Sequence, residues 1–117
     1  MKKYLIILND TPYGNERTYN GLRLAGSLSK QENIQIKIFL MGDAVSSAKK
    51  GQKLPQGYYN IEIMLSAIIR RGVEIAVCGT CISARGITEN ELADKIKQST
   101  LDELTQWTIE SDQVFTF

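Results

Sequence analysis

Val73-Glu74-Ile75-Ala76-Val77-Cys78-Gly79-Thr80-Cys81 decides how this chain is read. The apolar, β-branched run from Val73 to Val77 predicts a buried strand, which delivers Cys78 at its carboxyl end. Both cysteines of the chain lie here, spaced C-x-x-C, and there is no histidine anywhere. Sulfur is therefore the atom best placed to do covalent chemistry. Gly79 is expected to allow a tight strand-to-loop turn and to leave space around Cys78.

Working outward, the pattern alternates strand and helix. Residues 3–9 form a short, nearly continuous apolar run, as in a parallel strand covered on both faces. Asp10 to Asn15 is turn-rich, and a helix is expected from Glu16 to about Lys30, with Leu22, Ala25 and Leu28 on one side. Ile34 to Leu40 reads as the second strand, followed by Met41-Gly42-Asp43 and a short helix of small residues ending at Gly51. A loop around Pro55 leads to an amphipathic helix from Tyr59 to Arg71, which Gly72 stops.

Beyond the cysteines, Thr88-Glu89-Asn90-Glu91 and Thr100-Leu101-Asp102-Glu103 both have capping-box form. The first predicts a short helix and the second a helix to about Glu110. Strands are expected at Lys95–Gln98 and Gln113–Phe117. Such alternation predicts βαβ units with right-handed crossovers: an α/β, single-domain, three-layer sandwich over residues 1–117, with about five mostly parallel strands and helices on both faces. Ligands in such sheets bind beyond the carboxyl ends of the strands. The loops Asp10–Asn15, Met41–Asp43 and Cys78–Arg85 leave those ends.

Composition bounds the partners. A net charge of +1, with a longest basic run of only Lys49-Lys50 near Lys53, predicts no nucleic-acid or anionic-membrane grip. No apolar stretch approaches the roughly 20 residues of a membrane span. The apolar part of Met1 to Leu8 is too short for a signal peptide, and Asn9-Asp10 interrupts it. The expectation is a cytoplasmic protein, where a C-x-x-C pair is reactive or metal-binding rather than a staple.

Three chemistries are open to the pair. Cys78 can carry sulfane sulfur as a persulfide. The two thiols can run dithiol–disulfide exchange. Zinc needs four nitrogen or sulfur ligands, and one chain offers two cysteines, so no metal or other cofactor is expected. Inert packing is the bland alternative, since free cysteine behaves as a small hydrophobe. The protein would then be a non-catalytic oligomeric ligand-binding module. If a helical turn starts after Cys78, its N–H groups would face the sulfur, and Arg85 would add positive charge. Asp10, Asp43 and Glu16 could cluster at the same edge, although satisfying turns and a helix N-terminus explains them more simply. Tyr13, Tyr58 and Tyr59 could line a pocket or pack under loops. Neither a dinucleotide fingerprint nor a P-loop is present.

The chain resembles the DsrE/DsrF-like family of small sulfur-relay proteins over essentially its full length. The residues that carry this are Asn9-Asp10-x-Pro12-Tyr13-Gly14-x-Glu16-Arg17, Leu22-Arg23-Leu24-Ala25, Met41-Gly42-Asp43-Ala44-Val45 and Gly57-Tyr58-Tyr59-Asn60. To these are added Cys78-Gly79-Thr80-Cys81-x-x-Ala84-Arg85-Gly86-Ile87, Leu104-x-x-Trp107 and Asp112-x-Val114-x-Thr116-Phe117. The resemblance implies a five-stranded parallel sheet and assembly into homotrimers or homohexamers. It also implies donor and acceptor proteins for sulfur, with the persulfide on Cys78. Cys81 is not matched by a cysteine in all sulfur-transferring members and is read as an accessory. Arg85 and the backbone amides after Cys78 are expected to stabilise the thiolate, and Asp10, Tyr13, Asp43, Gly79 and Thr80 to shape the pocket rim.

Overall fold

A computed structural model describes residues 1–117. Five strands form one parallel sheet: β1 Lys2–Leu8, β2 Ile34–Leu40, β3 Glu74–Cys78, β4 Lys97–Ser99 and β5 Gln113–Thr116. Their spatial order is β4-β3-β2-β1-β5. The α-helices are α1 Arg17–Leu28, α2 Ile61–Arg70, α3 Gly79–Ala84 and α4 Leu101–Glu110, with 3-10 turns at Gly42–Ala48 and Glu89–Glu91. No helix is long and apolar enough to cross a membrane.

The strand order explains where the helices lie. From β1 to β4 the chain steps steadily across the sheet, so right-handed connections keep α1, α2 and α3 on one face. From β4 the chain must return to the far edge to form β5. A right-handed connection in the reverse direction places α4 on the other face.

Packing follows this division. Ile6, Leu8, Ile38, Leu40, Ile75 and Val77 turn toward Leu22 and Ala25 of α1, Leu65 and Ile68 of α2 and Ile82 of α3. The alternate residues Leu5, Phe39 and Ala76 turn toward Leu104 and Trp107 of α4. That alternation is the two-residue period of a strand. The central strands read as unbroken apolar runs because both their faces are covered.

Local signals set the helix ends. Asn60 accepts the N–H of Ile63 at 3.2 Å and caps α2, and Thr100 accepts the N–H of Glu103 at 3.2 Å and caps α4. The Thr88–Glu91 capping box forms as expected, but it opens only a three-residue 3-10 turn. The segment Cys78–Arg85 departs from the expected loop: residues 79–84 are helical, and Cys78 is the N-cap of α3. A six-residue helix is too short for the apolar periodicity that identifies longer ones.

Candidate functional site

Cys78 ends β3 and lies opposite Ser99, which ends β4. The chain leaves β3 toward the α3 face and leaves β4 toward the α4 face. Neighbouring strand ends whose connections part in this way open a crevice between them. A cleft of about 440 Å³ occupies that position. Cys78, Gly79 and Thr80 form one side, and Gln98, Ser99, Thr100 and Leu101 form the other. Phe39 and Met41 extend its apolar wall, and Ser83 completes the lining.

The Cys78 sulfur is held by local donors. The backbone N–H of Cys81 points at Sγ from 3.4 Å, and the Thr80 hydroxyl lies 3.3 Å away. Burial opposes ionisation of Cys78. Hydrogen bonds from the Cys81 and Thr80 side chains and their backbone N–H groups outweigh it, so the thiol sits below its ordinary pKa. Because α3 is a single short segment, these individual donors matter more than any helix dipole. Cys78 is half-buried and opens into the cleft. A purely packing cysteine would be enclosed among aliphatic side chains.

Cys81 differs in each respect. Its sulfur does not line the cleft, and it accepts the N–H of Gly42 at 3.3 Å. Burial, together with its hydrogen bond to Cys78, pushes its thiol upward. The pair is thus polarised, with Cys78 the readier thiolate and Cys81 the protonated neighbour that supports it. Both thiols are free.

The structure separates the remaining candidates into two groups. Arg85 does not stand over Cys78. Its guanidinium pairs with Asp43 at 2.8 Å and donates to the Cys81 carbonyl at 3.1 Å, so its positive charge acts on Cys81. Asp43 is bound up in this pair and does not line the cleft. Asp10 pairs with Arg17 at 3.5 Å, and its carbonyl accepts the Thr18 hydroxyl at 2.6 Å. The Tyr13 hydroxyl accepts the N–H of Ile61 at 3.1 Å, and its ring stacks on Tyr59 at 5.5 Å. Asp10 and Tyr13 therefore fasten the starts of α1 and α2, and neither lines the cleft.

Gly79 is required for a different reason from the one expected. Its φ is not positive. A Cβ there would lie 2.8 Å from Gln98 Nε2 and 3.1 Å from the Ser99 carbonyl oxygen, so glycine lets α3 approach β4 closely. Gln98, Ser99, Thr100 and Leu101 are cleft residues that sequence reasoning did not single out. Their signal is positional, since Gln98 ends a strand expected at Lys95–Gln98 and the other three follow it. No group of three or more cysteine, aspartate or glutamate side chains converges to hold a metal ion.

The profile of the DsrE/DsrF-like family matches residues 2–117. This chain belongs to that family. Among its relatives, YchN of Escherichia coli K12 is 44% identical over the whole of both chains. The uncharacterized protein MJ0989 of Methanocaldococcus jannaschii is 38% identical over 98% of this chain and 99% of its own. The crystal structure of E. coli YchN covers both chains completely with a TM-score of 0.94 at 44% identity. MTH1491 from Methanobacterium thermoautotrophicum also covers both completely, with a TM-score of 0.82 at 12% identity, and so shares the fold. The DsrE/DsrF-like fold thus places the strand-end thiol of this chain in the crevice between β3 and β4.

The thiolate geometry carries a direct expectation. Thr80→Val removes the hydroxyl donor and keeps the backbone N–H groups. The pH midpoint for alkylation of Cys78 should move upward toward that of a free thiol, because an ionised sulfur loses one hydrogen bond. An unchanged midpoint in iodoacetamide rate against pH would remove Thr80 from this role.

Proposed function

We propose that the protein is a sulfur carrier of the sulfurtransferase type that holds a persulfide on Cys78. The observation that carries this reading is the Cys78 sulfur, hydrogen-bonded by Thr80 and Cys81 and open to a cleft with room for a second molecule. In the loading step, the Cys78 thiolate attacks the sulfane sulfur of a donor. A new S–S bond forms, the donor's own bond to that sulfur breaks, and the donor leaves with the electron pair. In the unloading step, an acceptor thiolate attacks the outer sulfur and releases Cys78 as thiolate. No net oxidation occurs in either step. Donor and acceptor proteins would fill these roles in the cytoplasm, where thiols stay reduced.

The test is incubation with a sulfane-sulfur donor followed by intact-mass measurement. Wild-type protein should gain the mass of a sulfur atom, removable by dithiothreitol, and no gain would end the reading. The position of Cys81, with its N–H on the Cys78 sulfur, also favours a dithiol–disulfide role. In that case, mild oxidation would remove two hydrogens in mass without any sulfur being added.

Assembly into a homotrimer or homohexamer forms part of the proposal. Ile63 on α2, Ile109 on α4 and Val114 on β5 leave apolar side chains in solvent, as surfaces covered by another copy do. Light scattering on eluted protein should give the mass of three or six chains, and a monomer at micromolar concentration would refute this part.

A further inference from the structure

We infer that the Cys78 cleft selects sulfur substrates whose carrier group is small, apolar and uncharged, and discriminates against anionic donors such as thiosulfate. This rests on the carrier reading and names its substrate class. The cleft volume, about 440 Å³, falls within the roughly 300–1,000 Å³ of small-molecule sites. Phe39, Met41 and Leu101 supply apolar surface, and Ser83, Gln98 and Thr100 supply uncharged polar groups. No lysine, arginine, aspartate or glutamate lines it.

The surrounding charges lend an anion no help. Arg85, on the Cys81 side, is committed to Asp43 and the Cys81 carbonyl. Behind Ser99 stands Glu103, which Ser99 meets through a hydrogen bond and Lys97 through an ion pair at 3.1 Å. The N-terminus of α4 reaches the cleft at Thr100 and Leu101, but its first turn already carries Asp102 and Glu103. An anionic donor would therefore approach an anionic sulfur with no cation in the cleft lining to receive it.

The reacting pair fits a hydropersulfide whose carrier group R is uncharged, attacked in its protonated form, R–S–SH. The Cys78 thiolate attacks the terminal sulfur and forms a new S–S bond. The original S–S bond breaks, and R–S⁻ leaves with the pair and takes a proton from water. Cys78 retains –S–SH, so atoms and electrons balance without an added oxidant or reductant. The apolar walls receive R.

Two probe pairs test this on the intact protein, each differing in charge alone. The first is iodoacetamide against iodoacetate, with the rates at Cys78 assigned by peptide mapping and their ratio divided by that of a cysteine peptide. The ratio should exceed the peptide's by roughly tenfold. Leu101 is 69% exposed at the cleft lip, so Leu101→Lys should lower the ratio several-fold by speeding iodoacetate, whereas Leu101→Gln should not. A wild-type ratio equal to the peptide's, or one indifferent to Leu101→Lys, overturns the inference. The second pair is 4-carbamoylbenzyl hydropersulfide against its 4-carboxy analogue, read by intact mass. Preferential loading from the donor with the uncharged carrier group supports the inference. Equal loading from both overturns the selectivity and leaves the carrier reading standing. Loading from neither, with a high alkylation ratio, overturns the carrier reading and leaves the charge selection of the cleft in place.

Discussion

Cys78→Ser should abolish sulfur loading altogether, while Cys81→Ser should still load. The asymmetry follows from where the two sulfurs stand. Cys78 lines the cleft and accepts hydrogen bonds that favour its thiolate. Cys81 is turned to the N–H of Gly42, outside the cleft, and held above its ordinary pKa. A serine hydroxyl at position 78 keeps the shape but has no accessible anion near neutral pH, so it cannot displace a leaving thiolate. Cys81→Ser removes the thiol that can attack the inner sulfur of the Cys78 persulfide, expel hydrosulfide and close a disulfide. Loading should then persist, and the adduct should last longer in the absence of an added thiol. Intact mass over time reads both effects. An adduct of equal size in Cys78→Ser would remove Cys78 from the nucleophile's role.

Trp107→Ala should be the most damaging single change to the fold, costing about 3–5 kcal/mol. Whole domains are stable by only about 5–15 kcal/mol. On the face covered by α4, the buried cluster consists of Leu5, Phe39, Ala76, Leu104 and Trp107. Trp107 is 4% exposed and meets Phe39 edge to face, with ring centroids 6.0 Å apart. Lys37 and Lys97 lie over the same ring at 4.8 and 5.5 Å, anchored by ion pairs to Glu74. Removing the indole leaves a cavity that this small cluster cannot refill from a second layer. The melting temperature should fall by about 12–20 °C, at roughly 4 °C per kcal/mol for a domain of this size. Gln106→Ala, at an exposed side chain on the same helix, should cost less than about 0.5 kcal/mol. Comparable melting temperatures for the two variants would show that Trp107 is not the principal cover of this face. Phe39 also lines the cleft, so Trp107→Ala should slow alkylation or loading at Cys78 even where the protein stays folded.

Much of the fold is legible residue by residue. Ile34–Leu40 is a strand over its whole expected length because every second side chain meets a covered face. Thr100 and Asn60 mark helix starts because their side chains accept orphan N–H groups. The extent of α3 was not legible beyond the helical turn considered after Cys78, since six residues span fewer than two turns and its cap is a thiol. The acidic and tyrosine candidates were placed too near the site. Asp10 and Tyr13 follow a strand end, as cleft residues do, but their partners Arg17 and Ile61 hold them at the starts of α1 and α2, and neither lines the cleft.

The sequence alone determined that a cysteine would stand at the carboxyl end of a buried strand, because apolar runs and turn residues are local signals. That strand-end position, together with the resemblance to the DsrE/DsrF-like family, also pointed to Cys78 as the principal thiol. Only the tertiary structure decided that the cleft lies between β3 and β4, with Gln98, Ser99, Thr100 and Leu101 as its second side. Strand order and the return of α4 across the far face arise from pairings between residues distant in the chain. No short stretch encodes them, and the handedness of the last connection turns that order into a crevice beside the sulfur.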